Sequence, residues 1–311
     1  MTAAVEAWER FWFAPQETST LAVFRIAFGL LATVWTATLA PDLLTFFGDH
    51  GILPASSAPH GIGWSLLAAF PDDAVALAVF AVLLAGAVCL TVGYRTRVAA
   101  LVVFVGLATF ERRNPYVFNS GDLLLRVISA YLVLAPSGAA LSVDRWRKAR
   151  GRFWEFPARA LWALRLMQVQ CSIVYLTAVW TKAQGHLWND GTAVSYAFRT
   201  ELARFPLPRF VTDDLLVVNL LTYGTLAAEL ALALLVWNRR LRPWVLALGV
   251  ALHLGIDYSL RVGFFSLVVL TLYLVWVPPE TMSRLVLALR ARVAGSRLAP
   301  MRAVGVPRGT A

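Results

Sequence analysis

Charge is scarce in this 311-residue sequence: Asp, Glu, Lys and Arg together make up 15% of it. Soluble domains carry roughly 25%, so there is too little polar surface here for a chain that faces water on all sides. Cysteine is scarcer still. Cys89 and Cys171 are the two present, both inside apolar runs, and neither suggests a disulfide. The four histidines, His50, His60, His186 and His253, are scattered, with no HExxH or paired-cysteine spacing, so no metal is expected. No GxxxxGK[ST] or GxGxxG element is present, which removes nucleotide binding, and no GxSxG elbow, which removes a serine hydrolase of that type. Internal repeats, low-complexity tracts and a soluble second domain are likewise missing.

Apolar residues fill the space that charge leaves. They form 59% of the chain, its mean hydropathy is +0.66, and they fall in long runs. A helix needs about 20 apolar residues to cross a hydrocarbon core of roughly 30 Å. Runs at 21–40, 74–92, 98–113, 119–136, 159–180, 214–237, 244–258 and 262–278 predict an all-α integral membrane protein, a polytopic bundle of about eight transmembrane helices. The seventh run is short, which fits a tilted, partly re-entrant or fused segment. Residues 1–20, with Trp8-Glu9-Arg10-Phe11-Trp12-Phe13, predict an amphipathic head lying at the interface. Residues 21–280 form the transmembrane domain. Residues 281–311 predict a basic tail, first a surface helix and then a disordered end. The first run is not a cleaved signal: it carries Arg25 and ends Leu39-Ala40-Pro41, where proline discourages cleavage.

Basic residues set the expected orientation. With the N-terminus inside, 18 of the 28 Lys and Arg fall on inner segments and 7 on outer ones, and Arg25, Arg126 and Arg165 lie within spans. That bias follows the positive-inside rule and supports an even number of spans. The reading is a multi-pass protein of the cell inner (plasma) membrane with both termini cytoplasmic. The net charge of +10 then meets anionic membrane lipids, and no nucleic-acid partner is expected. Protein partners are not identified by any motif.

Ionisable residues at membrane depth cost about 2.5–3.5 kcal/mol on insertion scales, so each is a functional candidate. Arg25, in Phe24-Arg25-Ile26, either snorkels to the inner interface, the favoured reading, or meets a buried carboxylate. Asn119, Asp122 and Arg126 share a helical face, and Asp122 precedes Arg126 by four residues, the favourable order for an intrahelical ion pair. They predict either a polar ladder locking helices or the wall of a polar cavity. His253 and Asp257, again four apart, predict a carboxylate orienting an imidazole. Glu229, alone in an apolar run, needs a partner such as His253 or an arginine. Lys182 follows the fifth run in Trp180-Thr181-Lys182, close to Trp188 and Tyr175. It reads as an interfacial lysine beside an aromatic belt, on the basic-poor outer side where an anchoring lysine is less expected.

These motifs together resemble the HTTM (horizontally transferred transmembrane) family, bacterial relatives of the membrane region of vitamin K-dependent gamma-glutamyl carboxylase. The likeness covers about residues 8–280 in order. It runs through Leu21-x-x-Phe24-Arg25-Ile26-x-Phe28-Gly29, Phe47-Gly-Asp-His-Gly51-Ile-Leu-Pro54, Gly93-Tyr94-Arg95 and Asn119-Ser120-Gly121-Asp122. It continues with Leu141-Ser142-Val143-Asp144, Arg165-Leu-Met-Gln168, Ile173-Val174-Tyr175, Lys182 with Trp188 and Gly191-Thr192-Ala193. It closes on His253-Leu254 and Gly263-Phe264-Phe265-Ser266.

The resemblance implies a chemistry that spacing alone does not. The carboxylase uses a lysine after the corresponding span to deprotonate vitamin K hydroquinone, and Lys182 stands at or beside that position. It implies a menaquinol or vitamin K-type quinol as the cofactor. This chain departs from the carboxylase in three ways. Thr181-Lys182 replaces two adjacent lysines, Asn119-Ser120 replaces an asparagine–histidine pair, and no large extracytoplasmic domain is present. Peptide carboxylation is therefore not expected, whereas binding of a quinone-type or isoprenoid lipid, with quinol oxidation, is. The rival reading is a non-enzymatic partner, immunity or assembly protein that retains the fold. A transporter ranks below both, because no repeat or pair of broken helices is present.

Overall fold

The computed structural model describes residues 2–54 and 64–298; His60 and the part of the tail expected to be disordered lie outside them. Among the described residues, the helices of eight residues or more are α1 (Ala3–Phe13), α2 (Ser19–Thr38), α3 (Asp73–Val92), α4 (Thr96–Arg113), α5 (Ser120–Leu134), α6 (Trp162–Ala183), α7 (Leu215–Leu234), α8 (Arg242–Ser259), α9 (Phe265–Leu272) and α10 (Pro279–Leu298). Each of the eight apolar runs is occupied by one of α2 to α9. Not every one meets the length and composition of a complete span. Three segments do: Ser19–Phe47, Asp73–Val92 and Leu215–Trp237. A fourth is formed if Phe265–Trp276 and Pro279–Ala294, bent by 104° at a short break, count as one span. The others fall short because they are brief or carry charge, as α4 does with Glu111, Arg112 and Arg113.

Local chemistry explains where the helices begin and end. Asp72 caps α3 by accepting from the Ala74 N–H at 2.6 Å, and Asp214 caps α7 through the Val217 N–H at 3.1 Å. Carboxylates at these positions satisfy amide groups that the first turn leaves open. Gly93 ends α3 in the left-handed region at φ +77°, the conformation that glycine adopts without a Cβ penalty. A side chain there would also collide with Arg25, since an added Cβ would fall 1.9 Å from its Nη1.

The core runs between the helices. Phe24, Phe28, Leu83, Leu90, Leu107, Leu125 and Trp276 are all almost fully buried. Small residues let backbones approach: Gly29 lies against the Thr91 backbone, and Gly106 against Leu83, as expected where packing and not water exclusion joins the helices. The outside is apolar too. Leu216, Leu220, Trp244 and Leu254 are each more than half exposed, an arrangement suited to lipid and poorly suited to water.

Two features depart from the expected all-α fold. Residues just after α1 form β1 (Pro15–Glu17), which pairs antiparallel with β2 (Ala158–Ala160), Gln16 opposite Arg159. This ribbon ties the head to the segment before α6. The chain also breaks after α9, through a tighter turn at Tyr273–Trp276, before α10 departs. There the Ser19 hydroxyl donates to the Pro279 carbonyl at 2.6 Å and the Thr20 hydroxyl to the Val277 carbonyl at 2.9 Å. Thr20 satisfies the Val277 carbonyl, which the break removes from the helical pattern, and Ser19 ties α2 to the first residue of α10. The head holds α1, and α10 runs from the break into the tail.

Candidate functional site

Lys182 sits in the last turn of α6, and its Nζ donates to Glu229 Oε1 on α7. The two helices pack side by side, so the pair is a link between neighbours. The Lys182 side chain keeps 23% exposure while that of Glu229 has 9%. Gly185 then turns the chain into a short helix, His186–Asn189. This places the Trp188 ring centroid 4.9 Å from Lys182 Nζ, within range of a cation–π contact.

Two turns earlier on α6, Tyr175 is buried and hydrogen-bonded twice. Its hydroxyl meets His253 Nε2 at 2.8 Å and pairs with the Tyr273 hydroxyl. His253 comes from α8, Tyr273 from the turn after α9. Gly249, one turn before His253, leaves the room Tyr273 needs: an added Cβ would lie 2.4 Å from the Tyr273 hydroxyl. Lys182 is close enough to act electrostatically on His253, and Glu229 on both tyrosines. Two buried polar atoms here, Glu229 Oε2 and His253 Nδ1, have no hydrogen-bond partner. Four segments of the chain thus bring an amine, a carboxylate, two phenols and an imidazole together. They form two hydrogen-bonded sets, Lys182 with Glu229 and Tyr175 with His253 and Tyr273, and Glu229 Oε2 and His253 Nδ1 are left to contact something added.

Lys182, Glu229, Tyr175, Trp188 and His253 therefore converge. The other candidates do not join them. The expected Asp122–Arg126 ion pair is absent. Asp122 accepts from Trp35 Nε1 at 2.6 Å and from the Asn119 N–H at 2.7 Å, completing a capping box with Asn119. Arg126 turns to Glu111 on α4 at 2.9 Å. The capping role takes Asp122 because the first turn of a helix leaves amides unsatisfied, whereas α4 lies alongside with a second carboxylate.

His253 does not pair with Asp257 either. Asp257 lies near the end of α8, where its carboxylate is 3.5 Å from Arg204 Nη2 and its carbonyl accepts from Arg204 Nε at 2.7 Å. His253 faces the core and Asp257 the adjoining loop. The partner of Glu229 is Lys182, not His253 or an arginine. Arg25 does not snorkel: it is 0% exposed, and its Nη2 donates to the Leu141 carbonyl at 2.6 Å. Asp144, the nearest carboxylate to act on it, is instead held by the Arg95 and Thr96 N–H groups.

Sequence reasoning missed Tyr273 and Glu111. Both carried a signal, a phenol inside an apolar run and an acid at the end of one, each a polar group needing a partner at membrane depth.

The family described as HTTM domain matches residues 13–280. No curated protein and no solved structure matches the chain.

Proposed function

The chain belongs to the HTTM domain family and is a membrane protein related to the gamma-carboxylase membrane region; on that premise we propose that it binds a quinone-type or isoprenoid lipid beside Lys182. The observation that carries this reading is the Lys182–Glu229 pair set against Trp188, Tyr175, His253 and Tyr273. The fit to a quinol is chemical. Glu229 Oε2 is an unpaired acceptor, His253 Nδ1 donates or accepts according to its tautomer, and an indole face adjoins the amine. A quinol supplies, when bound, two phenolic protons and two electrons.

Lys182 acts as base once its own proton has passed to Glu229, its hydrogen-bond partner. Glu229 holds that proton out of water, and Trp188 covers the amine. Tyr175, Tyr273 and His253 form a second hydrogen-bonded set two turns earlier along α6, not bonded to the pair among the described residues. The protein lies in the cell inner membrane with both termini cytoplasmic and eight crossings, and Lys182 opens on the outer side. That topology rests on the charge bias of the loops.

The rival reading, a non-enzymatic partner, immunity or assembly protein, draws support from the same pair. Lys182 and Glu229 neutralise one another and tie α6 to α7, as a helix lock would. Mass spectrometry of lipids extracted from the gently purified protein separates the two. A stoichiometric isoprenoid quinone supports the proposal, and bulk phospholipid alone supports the rival.

A further inference from the structure

At the other end of the same helices lies a cavity of about 640 Å³. Arg165 and Lys182 are both on α6, seventeen residues apart, which puts the two ends about 25 Å from one another. Arg165, Arg239 and Arg242 all line this cavity. They come from the first turn of α6, the connection between α7 and α8, and the start of α8.

The three guanidinium groups line one cavity, and none of them is in an ion pair among the described residues. Arg165 Nη1 donates to Gln168 Oε1 at 2.8 Å and its Nε to the Phe11 carbonyl at 3.2 Å. Arg242 Nε donates to the Val236 carbonyl at 2.9 Å. These acceptors are neutral: they orient the side chains and leave the charge in place. Arg239 is exposed, and among the described residues its side chain makes no hydrogen bond or ion pair. Arg239 and Arg165 both act on Arg242 as like charges. Among the described residues no carboxylate lies within ion-pair distance of any of the three. Glu280 lines the cavity as well, but only its backbone carbonyl is engaged, by Arg284 and Ser283. The wall therefore carries three positive charges against one negative.

We propose that this cavity binds a phosphate group, presented by a lipid headgroup or by a soluble phosphate ester. Guanidinium forks match tetrahedral oxyanions in geometry and charge, and a net excess of two positive charges suits a dianion. Gln168 and the Phe11 carbonyl pre-orient Arg165, as the Val236 carbonyl does Arg242, which lowers the ordering cost of binding. A neutral quinone has no use for such a wall, so this site is separate from the one beside Lys182.

Thermal unfolding of the full chain in neutral detergent tests the proposal. Inorganic phosphate and dioctanoyl phosphatidic acid are the probes, dioctanoyl phosphatidylcholine is the control, and sodium chloride holds ionic strength constant. The expected result is saturable stabilisation by one or both phosphate probes. Its midpoint should weaken about tenfold in Arg239→Gln and stay unchanged in Arg240→Gln, the neighbouring arginine that does not line the cavity. A response to phosphatidic acid alone assigns the site to a lipid headgroup, and a response to inorganic phosphate assigns it to free phosphate. The proposal is overturned by no response to either probe, by an equal response to phosphatidylcholine, or by equal midpoints in wild type and Arg239→Gln. Equal weakening in Arg239→Gln and Arg240→Gln would also overturn it, since the effect would then belong to the basic surface as a whole.

Discussion

Lys182–Glu229 and Arg126–Glu111 are both cation–carboxylate pairs between neighbouring helices, each with a carboxylate that is almost entirely buried. What surrounds them differs. Arg126 and Glu111 adjoin the capping box of Asn119 and Asp122, which fixes a helix end, and with Asn119 they line a cavity of about 290 Å³. Lys182 and Glu229 adjoin two phenols, an imidazole and an indole, whereas an unpaired carboxylate oxygen is common to both pairs, on Glu229 and on Glu111. Arginine keeps its proton under all working conditions, whereas lysine can lose it. On the function proposed above, the same kind of bond is a lock at one place and a proton-handling pair at the other.

The comparison is most exposed at Arg126. Arg126→Ala leaves Glu111 buried without a counter-ion and should cost about 3 kcal/mol. Pairing Arg126→Met with Glu111→Gln should recover most of that loss, measured by thermal unfolding in detergent. Single and double variants melting together would mean that the lock carries no weight. Glu229→Gln should cost less, about 1–2 kcal/mol, because the amine left behind is partly exposed and still faces Trp188. It should nevertheless remove ligand binding, so retention of a co-purified lipid in this variant counts against the site.

Asp122→Asn comes next. An amide can still accept from Trp35 but no longer offers a carboxylate to the Asn119 N–H, so about 1 kcal/mol of stability should go. A loss as large as that of Arg126→Ala would contradict the capping role. Asp257→Asn is the smallest. Its pair with Arg204 is exposed on both sides, and the change should stay within about 0.5 kcal/mol. A larger drop would restore an inward role for Asp257.

The positions of the helices were legible because apolar runs and their charged interruptions are properties of consecutive residues. The partners inside the bundle were not. Spacing of four residues suggested Asp122 with Arg126 and His253 with Asp257, but it reports only which side chains share one helix. It says nothing of how that helix is rotated against its neighbours. Lys182 meets Glu229 across 47 residues and Tyr175 meets His253 across 78, distances at which periodicity carries no information. The motif likeness bridged part of this gap by singling out Lys182, Tyr175 and His253. It did not reveal Tyr273, whose placement depends on the break after α9.

Lys182→Arg separates the proposed role of Lys182 as a base from that of an anchor. Arginine can still pair with Glu229 and lie against Trp188, so abundance and melting temperature should be preserved. The measurement is the rate at which purified protein oxidises a short-chain menaquinol in air, followed by ultraviolet absorbance and corrected for the protein-free rate. Oxidation by wild type and none above background by Lys182→Arg is the expected result. Equal rates in the two proteins, or no oxidation by wild type, would contradict it.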